Sequence, residues 1–223
     1  MIPLRFAVLA SGGGSNLQAL LDRIRSGDLP AEHVFTVSNN SQAKALERTR
    51  NAGALAFHIS SKTEGSEEGV VSKLLELIDH HPVDLLVLAG YMKKVPPAVL
   101  HRLKNRVVNV HPALLPSFGG AGFYGERVHE AVVQSRCEFT GVTIHMVNEN
   151  YDDGQIILQR KVRVPAGADA KTVGQLVLEK EHDSYWRVLK AFADGDVVST
   201  DSDNPAEAVR INPEWLQRMS ELD

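Results

Sequence analysis

The stretch Arg5-Phe6-Ala7-Val8-Leu9-Ala10-Ser11-Gly12-Gly13-Gly14-Ser15-Asn16 decides the architecture of this 223-residue chain. Its first six residues are a short apolar run, the glycines make a turn, and Leu17, Leu20, Leu21 and Ile24 then recur at helical spacing. A strand that passes through a glycine turn into a helix gathers free backbone N–H groups and the positive end of the helix dipole at one point, which is an anion site. The same alternation continues along the chain. Strands are expected near 5–10, 33–37, 54–58, 84–88, 107–110, 138–147 and 155–164, with helices near 16–26, 42–53, 67–80, 96–103, 126–135 and 170–193. Five strands with crossovers imply an α/β fold with a doubly wound, mostly parallel sheet and a Rossmann-like N-terminal half. The last two strands are close enough in sequence for an antiparallel β-hairpin around Asp152, so the sheet is expected to be mixed, followed by a long helix.

What the glycine turn holds is narrowed by what it lacks. No Lys-Ser/Thr follows it, which disfavours a nucleoside triphosphate loop. Leu17 stands where a dinucleotide fingerprint needs a small residue, and Ser38-Asn39-Asn40 after the second strand offers no carboxylate to a ribose. A phosphate monoester is the best guest, although a plain tight turn explains the glycines equally well.

A second segment, Asn109-Val110-His111-Pro112-Ala113-Leu114-Leu115-Pro116, ends a run of β-branched residues. Alternation puts Asn109 and His111 on one side, and Pro112 keeps the backbone extended at His111. An amide and an imidazole so placed suit one oxygen anion, whereas an isolated Asn-x-His is more often structural. The polar turn Asn148-Glu149-Asn150-Tyr151-Asp152-Asp153-Gly154-Gln155 brings a carboxylate. Beside an imidazole it favours the protonated ring, so Asp152 is expected to keep His111 cationic.

These motifs, with Leu88-Ala89-Gly90-Tyr91-Met92, Gly141-Val142-Thr143-Ile144-His145, Asp152-Asp153-Gly154-Gln155-Ile156-Ile157-Leu158-Gln159 and Glu181-His182, occur in an order that resembles the phosphoribosylglycinamide formyltransferases. The resemblance runs from about Arg5 to Phe192. It implies transfer of a formyl group from 10-formyltetrahydrofolate to the amine of glycinamide ribonucleotide in purine synthesis. On this resemblance Asn109, His111 and Asp152 are the catalytic trio, with Asn109 and a protonated His111 as donors to the nascent oxyanion and Asp152 helping to relay a proton. Gly14, Ser15 and Asn16 meet the phosphate side of the ribonucleotide, and Glu181 its ribose and amine end. Met92, Lys93, Lys94, Val95, Asn109, Asn148, Glu149, Asn150, Tyr151 and Asp152 hold the folate, and His145 lies on the strand beside the site. Lys93-Lys94-Val95 departs from the Arg-Ile-Leu common in the family, which alters the rim of the pterin pocket. The glycines of residues 117–127 suit a mobile flap.

Composition agrees with one enzyme domain acting on small molecules. With 43% hydrophobic residues the chain can bury a single sizeable core. A formal charge of −4 argues against a nucleic-acid partner. Its one cysteine, Cys137, suits a reducing compartment, and the apolar start is too short for a membrane span, so a cytoplasmic monomer or homodimer is expected. Nine scattered histidines without ligand spacing predict no metal. Residues 1–193 are expected to form the formyltransferase domain. Residues 194–223 are expected to be an extension packed on it, with a polar loop at 198–205 and a helical turn at 213–219 that buries Trp215, Leu216 and Met219. Formyltetrahydrofolate hydrolases and the methionyl-tRNA or sugar formyltransferases share the Asn-x-His core. The first two are expected to carry additional regulatory or basic domains that are not expected here. A phosphoribosyl-binding module without activity leaves the trio idle.

Overall fold

A computed structural model describes residues 2–222. Strands β1 (Leu4–Leu9), β2 (Ala31–Ser38), β3 (Leu55–His58), β4 (Leu85–Leu88), β5 (Val107–His111), β6 (Phe139–Met146) and β7 (Ile156–Arg163) lie in a mixed sheet in the order β3-β2-β1-β4-β5-β6-β7. Contacts divide the chain into two compact units, Met1–Val108 and Asn109–Asp223.

In the first unit, β1 pairs in parallel with both β2 and β4, and β2 with β3. The order therefore reverses between β1 and β4, and in open α/β sheets ligands bind at such a switch point, beyond the carboxyl ends of the strands. Helices α1 (Ser15–Ser26), α2 (Lys44–Asn51), α3 (Ser61–Glu64), α4 (Glu67–His80) and α5 (Pro97–Arg102) connect the strands. Leu17, Leu20 and Leu21 are buried on α1, as their spacing predicts, and belong to a core that includes Phe6, Val8, Phe35, Leu46, Leu85 and Leu86. Helix α3 is not expected from the sequence, being one turn long. It is stabilised by a reciprocal cap in which the Ser60 hydroxyl accepts from Thr63 N–H and the Thr63 hydroxyl accepts from Ser60 N–H.

One half-buried group in this unit couples folding to pH. The His33 ring stacks on Phe6 with centroids 5.3 Å apart, and its Nε2 lies 2.9 Å from Thr36 Oγ1. Burial pushes its pKa down to about 4, against a weaker upward pull from the main chain at Phe35. In the unfolded chain the ring titrates near 6.5, so above that pH both states are neutral and nothing is lost. As pH falls from about 6.5 towards about 4 only the unfolded state gains a proton, and stability declines. The expected loss is about 2 kcal/mol at pH 5 relative to pH 7.5. Urea unfolding of wild type and His33→Gln at the two pH values checks this: the difference between the proteins should shrink by that amount at pH 5, and a pH-independent difference would exclude His33 as the cause.

In the second unit, β6 and β7 form the expected antiparallel hairpin, with Thr143 opposite Gln159 and Gly141 opposite Lys161. A Cβ on Gly141 would lie 2.1 Å from the Arg160 carbonyl oxygen, so only glycine fits there. Helices α6 (Glu126–Ser135) and α7 (Ala170–Asp194) bury Val132, Val173 and Val177 with Val162 of β7. Asp169 caps α7 by accepting from Thr172 N–H.

The C-terminal segment is more ordered than its polar composition predicts. Strands β8 (Val197–Ser199) and β9 (Val209–Ile211) pair antiparallel, and α8 spans Pro213–Ser220. Their anchor is remote in sequence. Gln155 donates from Nε2 to the Val209 carbonyl (3.0 Å) and accepts from Val209 N–H (2.8 Å), and Arg160 donates to the Leu222 carbonyl (2.9 Å). Trp215 and Met219 are buried as expected, whereas Leu216 is 39% exposed, which corrects its expected packing. Leu216 lies one residue, about 100° of helical rotation, beyond Trp215, and α8 turns that face outward.

Candidate active site

In the first unit, the turn after β1 and the segment after β4 are tied together at the switch point. Ser11 N–H donates to the Gly90 carbonyl (3.0 Å), and Met92 N–H donates to Ser11 Oγ (2.8 Å), which itself donates to Asn39 Oδ1 (2.5 Å). Asn40 Nδ2 donates to the Ser11 carbonyl (3.2 Å). Gly14 caps α1 with φ +68°, and a Cβ there would lie 2.8 Å from Ala45 Cα, so both its dihedral and its surroundings require glycine. The N-cap of α1 is a glycine and contributes no side-chain hydrogen bond to the first turn. Tyr91, next to Met92, has its phenol pushed up to about 12 by burial and by the nearby Glu67 carboxylate.

In the second unit, β5 ends at His111. Val107, Val108 and Val110 are buried, Asn109 is half-buried and His111 is 4% exposed. The chain beyond β5 is held by Thr143, whose hydroxyl donates to the Ala113 carbonyl (2.7 Å) and accepts from Leu115 N–H (3.0 Å), and by Gln159, which donates to the Leu115 carbonyl (2.9 Å). These bonds aim the strand end. His111 Nε2 lies 2.8 Å from the Phe118 carbonyl, and its Nδ1 lies 3.6 Å from Asp152 Oδ2. The other carboxylate oxygen, Oδ1, is 3.6 Å from His145 Nε2, which is 3.1 Å from Asn109 Nδ2. Gly120 N–H donates to Asp152 Oδ2 (2.8 Å). A carboxylate, two imidazoles and an amide thus meet in one cluster.

The hydrogen bonds assign the neutral tautomers. A carbonyl only accepts, so His111 carries its proton on Nε2 towards Phe118, which leaves the Nδ1 lone pair facing Asp152. His145 Nδ1 lies 2.8 Å from the Met146 carbonyl, so its proton is there, and Nε2 accepts from the Asn109 amide. One of the two Asn109 amide N–H groups is engaged in this way. Contacts of 3.6 Å are too long for hydrogen bonds, and Asp152 acts on both rings through its charge.

The electrostatics correct the expectation of a cationic His111. Burial pushes its pKa below the ordinary imidazole value; the Asp152 charge and the Phe118 carbonyl pull it back without restoring it. The direction is downward because loss of hydration outweighs a carboxylate not in direct contact. Burial also raises Asp152, but interaction with His145, the His111 charge and the Gly120 N–H outweigh it, and the carboxyl sits below its usual range.

Residues 4–189 match the formyl transferase family. The phosphoribosylglycinamide formyltransferase of Escherichia coli is 34% identical over 86% of this chain and 88% of its own length. The chain belongs to the phosphoribosylglycinamide formyltransferase family. The chloroplastic phosphoribosylglycinamide formyltransferase of Arabidopsis thaliana is 35% identical over 94% of this chain and 72% of its own length. A crystal structure of glycinamide ribonucleotide transformylase 1 from Symbiobacterium toebii has a TM-score of 0.84 with 35% identity and 94% coverage of each chain.

The other residues expected from the motifs of the phosphoribosylglycinamide formyltransferase family fall into distinct environments. Ser15 is half-buried and Asn16 buried at the start of α1. Glu181 is buried on α7, 7% exposed. Met92, Lys93 and Lys94 are exposed, but Val95 is 3% exposed in the core, so the segment presents side chains at its start and only main chain at its end. The turn at 148–153 is held by its own side chains: Asn148 Oδ1 accepts from Asn150 N–H, and both Asn148 and Asn150 donate to Asp153 Oδ2. Glu149, Asn150 and Tyr151 are exposed on it, and Asp152 is turned inward with φ +53°. A Cβ on Gly154 would lie 1.8 Å from the Met146 carbonyl oxygen, which explains the glycine after Asp153. The Phe118 carbonyl and the Gly120 N–H escape sequence reasoning, because main-chain groups leave no residue-type signal. Among the described residues no group of three His, Cys, Asp or Glu is placed to hold a metal ion, and no helix is long and apolar enough to cross a membrane.

Proposed function

We propose that this chain transfers the formyl group of 10-formyltetrahydrofolate to the primary amine of glycinamide ribonucleotide, giving formylglycinamide ribonucleotide and tetrahydrofolate in purine synthesis. The observation that carries this reading is a buried His111 whose Nδ1 lies 3.6 Å from Asp152 Oδ2 within the cluster that holds Asn109. The amine nitrogen attacks the formyl carbon, and the carbonyl oxygen becomes an anion. The second N–H of Asn109 is assigned to that oxygen; one such donor is worth about 3 to 4 kcal/mol in the transition state. His111 Nδ1 takes the proton that the attacking nitrogen must shed, and the imidazolium so formed keeps its Nε2–H on the Phe118 carbonyl and is favoured by the Asp152 charge. The same proton then goes to the folate nitrogen as its bond to the formyl carbon breaks. Asp152 favours the cation without being its direct partner.

Gly14, Ser15 and Asn16 are assigned to the phosphate and Glu181 to the ribose and amine end. Met92 to Val95 and the turn at 148–152 are assigned to the folate, with Val95 contributing through its main chain. His145 orients the Asn109 amide. The protein is assigned to the cytoplasm as a monomer or homodimer without nucleic-acid, membrane or metal partners. Purified protein given 10-formyltetrahydrofolate should release tetrahydrofolate only when glycinamide ribonucleotide is added. Equal release with water as the sole acceptor would identify a hydrolase instead.

A further inference from the structure

The glycine turn is shaped from behind by α2. Ala45 N–H donates to the Gly12 carbonyl (3.2 Å), and Arg48 Nε donates to the Gly13 carbonyl (2.9 Å) while its Nη1 donates to Gln18 Oε1 (2.7 Å). In a trans peptide the carbonyl and the following N–H point in opposite directions. Two successive carbonyls drawn towards α2 therefore turn the N–H groups of Gly13 and Gly14 the other way, as a pair of donors suited to one anion. Gly14 then continues into α1, its carbonyl accepting from Gln18 N–H (2.9 Å), the residue whose side chain Arg48 also grips.

We infer that Arg48 is a positioning residue for the substrate's phosphate: its guanidinium locks the Gly13–Gly14 peptide in the anion-binding orientation and sets a fixed positive charge behind it. The inference rests on the assignment of this turn to the phosphate monoester. The Arg48 fork suits the task because Nε and Nη1 are spent on two acceptors, the Gly13 carbonyl on the turn and the Gln18 side chain on α1, so the charge is held where a lysine's mobile ammonium would not be. Glu47 and Arg50, its neighbours on α2, are exposed to solvent, and the charge bonded to the turn is that of Arg48.

The test compares glycinamide ribonucleotide with its phosphate-free riboside as acceptors for the intact chain. Wild type should strongly prefer the phosphorylated acceptor. Arg48→Met should raise KM for glycinamide ribonucleotide ~10 to 100-fold, the scale of a charge-assisted hydrogen bond, with kcat changed less than about threefold. KM for the riboside and for 10-formyltetrahydrofolate should be unchanged, and Arg48→Lys should recover part of the loss. Should Arg48→Met fail to fold, Arg48→Lys carries the test, with a smaller rise in KM confined to the phosphorylated acceptor. A merely structural Arg48 would lower thermal stability and both acceptors' use together, leaving the preference for phosphate intact, and that result overturns the inference alone. A wild type that uses the two acceptors equally well would overturn the phosphate assignment and the inference with it.

Discussion

Replacing His111 by Ala is expected to lower kcat by about 10³-fold while KM for both substrates changes little, within the range of lost acid–base catalysis. The expectation follows from the position of the ring. Its Nε2 proton is committed to the Phe118 carbonyl, so the one nitrogen that can exchange a proton is Nδ1, and it lies beside Asp152. Because the ring sits at the terminus of β5, truncation should leave the strand intact. Steady-state kinetics with circular dichroism as a control for folding checks this. Turnover within about tenfold of wild type would remove His111 from the proton path and leave electrostatic stabilisation by Asn109 as the main catalytic term.

Replacing Asp152 by Asn is expected to lower kcat by about 10²-fold and to move the acidic limb of kcat/KM. The sign is set by the groups around His111. Activity requires the neutral ring, so it declines as pH falls through the His111 pKa, which burial already places below the ordinary imidazole value. Asp152 opposes that depression by favouring the imidazolium. Without its charge the pKa drops further, and the limb should shift to lower pH. A basic limb moving to lower pH in its place would mean that His111 acts as a cation, and an unmoved acidic limb would mean that the two groups are not coupled. The Asp152→Asn side chain keeps an oxygen for the Gly120 N–H, so the loop contact survives and the shift reports charge.

Both expectations depend on features that differ in how far they can be read from residues. The periodic leucines of α1 and the apolar runs of β4 and β5 are legible because burial of an apolar face needs only the local pattern. The two units, by contrast, divide inside β5, where no change of composition marks a boundary. Strands β8 and β9 are three residues each around a polar loop, and their order depends on Gln155, 54 positions from the Val209 it holds. Asn109, His111 and Asp152 are legible as a trio through the family's motifs, and the geometry brings them together. The charge on His111 is not, since a carboxylate in the sequence says nothing of its distance or of the hydration that the ring loses.

From the sequence alone came the alternation of strands and helices through the main sheet, the glycine turn after β1, and the chemical types gathered for acyl transfer, all of which depend on local period, turn chemistry or side-chain identity. Tertiary structure alone decided which nitrogen of His111 meets a main-chain carbonyl, that burial lowers the pKa of the ring, and that Arg48 holds the glycine turn from α2. Those outcomes turn on desolvation and on hydrogen bonds to main-chain carbonyls, and both exist only once distant segments have closed around the side chain.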